Sequence, residues 1–366
     1  MLKKNYGEAV ERNKRFLKRE LMNGILLKTH VYENPYAISE DRDRTWGDRE
    51  CLSVSDGPWV IENCRRNASV YQHIDDDTIP LEYPTLHFGE SIYSGMLGGE
   101  MQIVGNDYHT CSGAKPLIYS MEDFEKLKNS DYGSNPWVKK FETAAGYFAE
   151  QARGDFCLRY VISIDALNFA VELLGTTEAY IALYDDEVLL RKIMEFGVDF
   201  NEWFYKLQKS IYEKNNRAAL LDEEFYGLYD KAWYSIDAYT ICDPHVYKKL
   251  GFEYQQELIR RVGGGMLHTH GTALLELLPY ISKLEGLGSL QLGRDLYSQE
   301  SLSLEFLPEA RKMTGDTPLQ VNVSREEFIE GVKNKSLPGG VEYMLGVSTI
   351  DEANEMAYMA KEYRAP

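Results

Sequence analysis

The chain has 366 residues, of which 44% are hydrophobic and 27% are charged. This balance is typical of a globular protein and excludes wholesale disorder. The formal net charge of -18 argues against an extended surface for nucleic acid or anionic lipid, because such surfaces need clustered cations. No stretch of the sequence approaches the ~18 uninterrupted apolar residues of a membrane span.

The first residues and the cysteines indicate a cytoplasmic protein. The opening MLKKNYGEAVERNKRFLKREL mixes basic with acidic residues and has no apolar core, unlike a secretory signal or a transit peptide. The five cysteines are scattered and lack CxxC spacing, so we expect reduced thiols rather than a disulfide framework.

The texture of the sequence changes at Ile79. After an opening helix, the residues before it are polar and irregular. From Ile79 onward, short apolar runs alternate with helical patterns. Eight of these runs are predicted strands: residues 79–89, 157–164, 218–225, 233–241, 266–271, 286–293, 318–323 and 339–347.

Residues typical of helix starts and ends mark several helices between these runs. Residues 184–215 have the pattern of one long amphipathic helix. Asp243 is placed to cap a helix that Pro244 opens and that the glycines at 263–265 end. Two capping boxes predict further helix starts: Ser324 with Glu327, and Thr349 with Glu352.

This alternation predicts the fold class. Strands joined by crossover helices pair in parallel, because parallel neighbours need long connections. Eight such units favour a closed barrel over an open sheet, and the glycine-rich fingerprint of a dinucleotide-binding sheet is missing. We therefore predict an α/β protein, a (β/α)8 TIM barrel at residues 79–366, with an N-terminal helical and irregular extension, residues 1–78, packed on it.

Polar residues at the carboxyl ends of the predicted strands are the candidates for chemistry, since barrels build their sites there. They are His87, Glu90, Asp165, Asp222, Glu223, Glu224, Asp237, His268, His270, Arg294, Asp295, Asn322 and Glu342. Each of them also has a plain interpretation as a capping or solvated residue.

His268 and His270 are the sharpest pair in this set. Residues i and i+2 of a strand point to the same face, so the two imidazoles could converge on one metal ion. They could equally be neutral histidines that are hydrogen-bonded inside the barrel mouth. A carboxylate from another strand end would favour the metal, and Asp237, Asp222, Glu223 and Glu342 are all candidates.

Other polar residues carry weaker signals. Cys242 follows the strand of Asp237 but lies where a helix is about to start. His245 falls in the first turn of that helix and is interpreted as structural. His109 and Cys111 share an HxC spacing in a loop, with little support for a metal role. The acidic run at 75–77 lacks the alternating oxygens of a calcium loop and is interpreted as a solvated linker.

From Pro84 to the C-terminus the chain resembles the uroporphyrinogen decarboxylase superfamily, which includes corrinoid-linked, zinc-dependent methyltransferases. The resemblance lies in these stretches: PTLHFGESIYSGMLGGE, LNFAVELLG, LLRKIMEFGVDFNEWFYKLQ, SIDAYTICDPHVYKKLGFEYQQELIRR, VGGGMLHTHG and EANEMAYMAKEY. It implies the same (β/α)8 barrel that the alternation predicts.

The resemblance also implies a site, from which this chain departs. Where the methyltransferases carry His-x-Cys-Gly on a strand, this chain has His268, Thr269, His270 and Gly271. Their distal zinc-binding Cys maps near Val347, as does a His of the decarboxylases. The catalytic Asp of the decarboxylases maps to Gly89, beside Glu90, and their arginine-rich N-terminal signature is missing. A divergent relative is expected rather than a true uroporphyrinogen decarboxylase.

The resulting functional prediction is a zinc-assisted methyltransferase of the corrinoid-linked branch. Zinc would be held by His268, His270 and a carboxylate, with Asp237 preferred, because its strand neighbours theirs in the predicted barrel, and Glu342 second. The predicted partners are a small-molecule substrate, a protein carrying the corrinoid and a second copy in a homodimer, with no nucleic acid and no membrane.

Two alternatives stay open. One is a metal-free decarboxylase or lyase, with His268 or His270 as general acid and Asp237 or Glu90 orienting the substrate. The other is a relative that binds a ligand but has lost catalysis.

Overall fold

A computed structural model provides the structure of the chain. It describes residues 3–33, 35, 57–79, 91–105, 110–152, 158–213, 223–229, 231–270, 274–293 and 304–366. Within these ranges the protein is built on a parallel sheet with flanking helices, as the alternation of elements predicts.

The main sheet has seven described strands in the order β1-β9-β8-β7-β6-β5-β4. Every neighbouring pair in it is parallel. Its strands are β1 Ile25–Val31, β4 Ser163–Ile164, β5 Tyr234–Ser235, β6 Met266–Thr269, β7 Ser289–Leu292, β8 Leu319–Asn322 and β9 Val341–Val347. A separate antiparallel hairpin consists of β2 Met101–Gly105 and β3 Thr110–Ala114.

Helices connect these strands and cover the sheet. They are α1 Tyr6–Leu17, α2 Gly57–Ser69, α3 Ile92–Met96, α4 Met121–Lys128, α5 Pro136–Ala152, α6 Ala166–Leu174, α7 Thr176–Asp185, α8 Glu187–Tyr212, α9 Glu223–Tyr229, α10 Pro244–Val246, α11 Phe252–Val262, α12 Leu274–Ile281, α13 Leu307–Thr314, α14 Arg325–Lys333 and α15 Ile350–Glu362. Both predicted capping boxes are formed, at the starts of α14 and α15.

The helix predicted after Asp243 is continuous but not uniform. The Asp243 side chain caps α10, and α11 ends at Gly263, whose φ of 89° suits glycine. Between α10 and α11 the segment Tyr247–Gly251 forms a π-helical turn, which the sequence does not reveal. Gly251 permits the close packing there, since an added Cβ would lie 2.7 Å from the Tyr239 ring.

Most predicted strands correspond to observed ones. The last four runs contain β6, β7, β8 and β9, and the runs at 157–164 and 233–241 contain the short strands β4 and β5. The run at 79–89 falls almost entirely outside the described residues. The run at 218–225 is the exception, because its described part begins helix α9. Periodicity alone cannot separate a strand from a helix over so short an apolar run.

Strand β1 corrects the predicted boundary of the barrel. It lies within residues 1–78, which the sequence assigned to an extension, yet it pairs with β9 along its whole length, from Ile25 with Val341 to Val31 with Val347. The sheet therefore begins before Ile79. The polar surroundings of this strand hide its pattern in the sequence.

Buried charges attach β1 to the segments around it. Asp76 is fully buried and forms an ion pair with Lys3 at 2.9 Å. Its second carboxylate oxygen accepts hydrogen bonds from both the backbone and the hydroxyl of Thr29, in β1. Asp77 pairs with Arg12 of α1 and accepts a hydrogen bond from the backbone of Leu27. The acidic run predicted to be a solvated linker is thus a structural clamp, and we call Lys3, Arg12, Asp76 and Asp77 the N-terminal clamp.

The inner face of the sheet carries a layer of polar side chains. Register partners across five adjacent strands form this layer: Ser235, His268, Gln291, Gln320 and Glu342. Residues that alternate with them, such as Leu267, Leu290 and Tyr343, are buried in the core that the helices share. Because barrel interiors are usually filled by branched apolar side chains, a polar layer indicates an interior suited to a polar ligand.

Candidate metal centre

Two adjacent strands bring three predicted site residues together. Strand β5 ends at Ser235, and Asp237 begins the single turn of 3₁₀ helix that follows it. Strand β6 contains His268, and His270 lies just beyond its end. Because β5 and β6 pair in parallel, with Ser235 opposite His268, the residues at their carboxyl ends are neighbours.

The two imidazoles lie on the same side of the sheet, as the i, i+2 spacing predicts. Their ring centroids are 5.4 Å apart and their planes are inclined by 46°. Nε2 of His270 is 3.4 Å from Oδ1 of Asp237, and each of these two side chains is about one-third exposed. The centre is therefore neither sealed in the core nor fully solvated.

The three side chains have the chemistry of a metal site. Asp237, His268 and His270 each offer a ligand atom, and these atoms all lie within 4.8 Å of one another. In the described part of the chain this is the one such group of histidine, cysteine and carboxylate ligands. Atoms bound to the same tetrahedral zinc lie about 3.4 Å apart, so only a modest side-chain rotation is needed to close the set around an ion.

Neighbouring side chains in the polar layer hold two of these residues. Oε1 of Gln291 lies 2.7 Å from Nδ1 of His268. The hydroxyl of Ser235 donates a hydrogen bond to Oδ2 of Asp237, which leaves Oδ1 directed toward His270. Gln291 and Ser235 are not among the site residues predicted from the sequence. Their position opposite His268 on adjacent strands is the signal that could have identified them.

Gly293 leaves room for the histidines. It follows β7, beside the pair, and an added Cβ would lie 2.9 Å from Cβ of His270 and 3.3 Å from Cε1 of His268. A larger residue would therefore press on the side chain of His270 and on the ring of His268.

Glu342, the second predicted ligand, is not brought to this group. Its carboxylate is buried and pairs with Nζ of Lys28 at 2.8 Å, across β9 and β1. Strand alternation does turn it to the inner face, but β9 is three strands away from β6 in the sheet. Glu342 is thus three strands away from the histidines, and its carboxylate is already paired with a cation.

Apart from Asp165, the remaining end-of-strand candidates divide into two groups. Several lie outside the described residues: His87, Glu90, Asp222, Arg294 and Asp295. The others lie away from the centre. Glu223 and Glu224 are in α9, where Glu224 pairs with Lys14 and Lys18 of α1, and Asn322 is exposed at the end of β8.

Asp165 combines a structural role with an unusual environment. Its Oδ1 caps α6 by accepting hydrogen bonds from the backbones of Leu167 and Asn168. Its Oδ2 is buried and has no hydrogen-bond partner among the described residues. Burial, reinforced by the negative charge of Asp237, raises the pKa of Asp165 to about 8. A carboxyl group beside the centre is therefore largely protonated near neutral pH.

The weaker candidates do not join the metal group. Burial, and then the charge of Asp165, raise the pKa of the Cys242 thiol to about 11, which disfavours the thiolate that metals bind. His245 is exposed and contacts the capping carboxylate of Asp243 at 2.8 Å, so its structural interpretation fits. His109 lies outside the described residues. Val347 is buried among residues of the shared core.

Comparisons with known proteins identify the fold. No known family profile matches the chain. No curated protein matches it in sequence either. A solved structure, a methyltransferase from Methanosarcina mazei, aligns over 97% of this chain and 98% of its own, with a TM-score of 0.62 and 11% sequence identity. Among the described helices, none combines the length and the apolar character of a membrane span. At this identity the likeness shows a shared fold: the chain has the α/β barrel architecture of that methyltransferase.

Proposed function

We propose that the protein is a zinc-assisted methyltransferase of the corrinoid-linked branch of the uroporphyrinogen decarboxylase superfamily. The observation that supports this most is the grouping of Asp237, His268 and His270 at the carboxyl ends of two parallel strands. Active sites of (β/α)8 barrels lie at that end of the strands. The shared fold with a methyltransferase supports the proposal at the level of architecture.

The donor set fits a catalytic zinc. Two imidazoles and one carboxylate are a common set of three protein ligands, which leaves the fourth position to substrate. When bound, zinc would supply a Lewis acid that lowers the pKa of a thiol or hydroxyl, so that its anion can accept a methyl group. Because two neutral imidazoles bring no charge, the anionic ligand falls to Asp237.

The chain's own residues would orient the reaction. Ser235 fixes Asp237, and the polar layer beneath the centre can receive the polar part of a small substrate. The second reactant, which donates or accepts the methyl group, would be a corrinoid carried by a partner protein, as the family resemblance implies.

Zinc titration tests this proposal. Untagged protein purified without chelators is expected to contain close to one zinc per chain. Asp237→Ala should weaken zinc binding at least tenfold, since loss of a ligand should cost no less than loss of a residue that only contacts a ligand, which typically costs 10–100-fold. Asp243→Asn is the control, because it removes an exposed carboxylate that faces His245 and keeps an oxygen to cap α10. Equal affinities of wild type and Asp237→Ala would eliminate Asp237 as a ligand.

A transfer assay tests the reaction. Protein loaded with zinc is expected to move the methyl group of methylcobalamin to a small thiol, and chelated protein is expected not to. Absence of stoichiometric zinc in the wild type would contradict the proposal.

One observation favours a second candidate, a metal-free decarboxylase or lyase. The carboxylate of Asp237 lies 3.4 Å from the imidazole of His270, an arrangement that suits a general acid. Glu90, outside the described residues, stays a prediction for orienting the substrate. Turnover of a small carboxylic acid without metal would select this candidate. Ligand binding with no turnover would indicate a relative that has lost catalysis.

A further inference from the structure

We propose that Gln291 is a positioning residue that holds His268 in the tautomer able to bind a metal. This inference rests on the proposed function, because the tautomer matters for chemistry only if His268 is a ligand. It identifies a residue on a third strand, β7, as part of the centre.

The register of two strands places Gln291 beside His268. The two residues are direct partners across β6 and β7, and both side chains are half-buried on the inner face. Leu267 and Leu290, which precede them and are also partners, are fully buried on the opposite face. A slip of one residue would expose these leucines to the interior, so the core itself enforces the contact between Gln291 and His268.

The hydrogen bond selects one tautomer. A neutral imidazole has one N–H and one lone pair, and an amide oxygen can only accept. With Oε1 of Gln291 at 2.7 Å from Nδ1 of His268, the ring proton resides on Nδ1 and the lone pair on Nε2. Were the amide nitrogen turned to Nδ1 instead, the ring would carry its proton on Nε2 and would have no lone pair to offer there.

The same geometry fixes the direction of the ring. The hydrogen bond restrains rotation of His268, and the missing side chain of Gly293 leaves room for the edge of the ring at Cε1. In metal sites, a partner that accepts the second ring N–H typically changes affinity by 10–100-fold. We expect an effect in that range from Gln291.

Two substitutions separate this role from plain packing. Gln291→Glu keeps an acceptor opposite Nδ1, whereas Gln291→Met keeps the size of the side chain and removes the acceptor. Gln320→Met is the matched control, because Gln320 is the register partner of Gln291 in the same polar layer on the next strand and forms no hydrogen bond to His268.

The first measurement does not involve a metal. Long-range ¹⁵N–¹H spectra of the chelated full chain, labelled in its seven histidines, report tautomers at pH 8.5. The signal of His268 is assigned by its loss in His268→Asn. We expect the Nδ1–H form in the wild type, in Gln291→Glu and in Gln320→Met, and a shift toward Nε2–H in Gln291→Met.

The second measurement is zinc affinity. Gln291→Met should bind zinc 10–100-fold more weakly, and Gln291→Glu and Gln320→Met should stay within about threefold of the wild type. An Nε2–H tautomer in the wild type overturns the proposal without any variant, even if Gln291→Met fails to fold. An unchanged tautomer in folded Gln291→Met also overturns it.

The two proposals fail in different ways. If the wild type shows the Nδ1–H form and Gln291→Met loses it, but neither binds zinc, Gln291 positions His268 and the metal function is wrong. If zinc binds tightly and Gln291→Met changes neither tautomer nor affinity, the metal function holds and the role of Gln291 is wrong.

Discussion

Carboxylates in two regions of this protein meet opposite conditions. In the N-terminal clamp, the fully buried Asp76 accepts hydrogen bonds at both oxygens and pairs with Lys3. At the barrel mouth, Asp165 is just as buried, yet its Oδ2 has no partner among the described residues. A buried ion pair becomes strongly destabilising when one partner is removed, whereas an unsatisfied buried polar group costs free energy in the intact protein.

This contrast distinguishes a structural site from a candidate functional one. The clamp fixes β1 against α1 and against the segment that contains Asp76 and Asp77. Its ion pairs and hydrogen bonds form without any ligand. The mouth brings the buried Asp165 close to Asp237 and the two histidines, and the side chains of Asp237 and His270 are about one-third exposed. Sites that act on ligands commonly keep such unfavourable arrangements, which the rest of the fold must support. The predictions below test this difference.

Breaking the clamp should have the largest effect. Lys3→Met leaves the buried Asp76 carboxylate without its cation, and removal of one partner of a buried pair typically lowers the free energy of unfolding by about 3–5 kcal/mol. Urea unfolding measures the change. Lys139→Met, which removes an exposed pair with Glu142, should change stability far less. Similar stabilities of the two variants would contradict the structural role of the clamp.

Removing a carboxyl group at the mouth should act in the opposite direction. Because the pKa of Asp165 is raised to about 8 in the folded state, folding takes up a proton between the unfolded pKa and pH 8. The contribution of Asp165 to the free energy of unfolding is therefore greatest below its pKa in the unfolded chain. This contribution is lost as pH rises from that value toward 8. Asp165→Asn keeps the cap oxygen and removes this loss.

We expect Asp165→Asn to be more stable than the wild type at pH 7.5. The difference between the two free energies of unfolding should shrink by on the order of 1 kcal/mol per pH unit as pH falls to 5. Urea unfolding of chelated protein at several pH values measures it. A constant difference between the two proteins over this range would show that Asp165 titrates normally.

The smallest effect is expected at Glu342. This carboxylate lies in the polar layer, but its ion pair with Lys28 makes it resemble the clamp rather than the mouth. Glu342→Gln should therefore change zinc affinity less than about threefold, below the range of residues that contact a ligand. Titration alongside Asp237→Ala provides the comparison. A loss as large as that of Asp237→Ala would place Glu342 in the metal centre.

Local patterns in the sequence predict much of the fold. The capping boxes, the helix after Asp243 and the four C-terminal strands each carry their signal within a few residues. The i, i+2 spacing of His268 and His270 is of the same kind, and parallel pairing of successive strands then brings Asp237 to them. These features need only short-range order and one rule about neighbouring strands.

Features that depend on distant partners were missed. Strand β1 joins the sheet by pairing with β9. The buried carboxylate of Asp76 is satisfied by Lys3 and Thr29, which lie far from it in the sequence. A run of three acidic residues indicates solvation unless such partners are known. Gln291 could be identified only from the register of β6 with β7, because an amide side chain acquires its role through the histidine opposite it.

The pairing of β1 with β9 has a consequence for synthesis. Ile25 leaves the ribosome long before Val341, its partner in the sheet, exists. Until then one edge of β1 has no strand to bind, and exposed edges of this kind invite association between chains. Pairing between strands that are distant in the sequence is also slow, because the chain must lose much conformational entropy before the contacts form. We therefore expect the barrel to close only after translation is nearly complete, with the clamp holding β1 in the meantime.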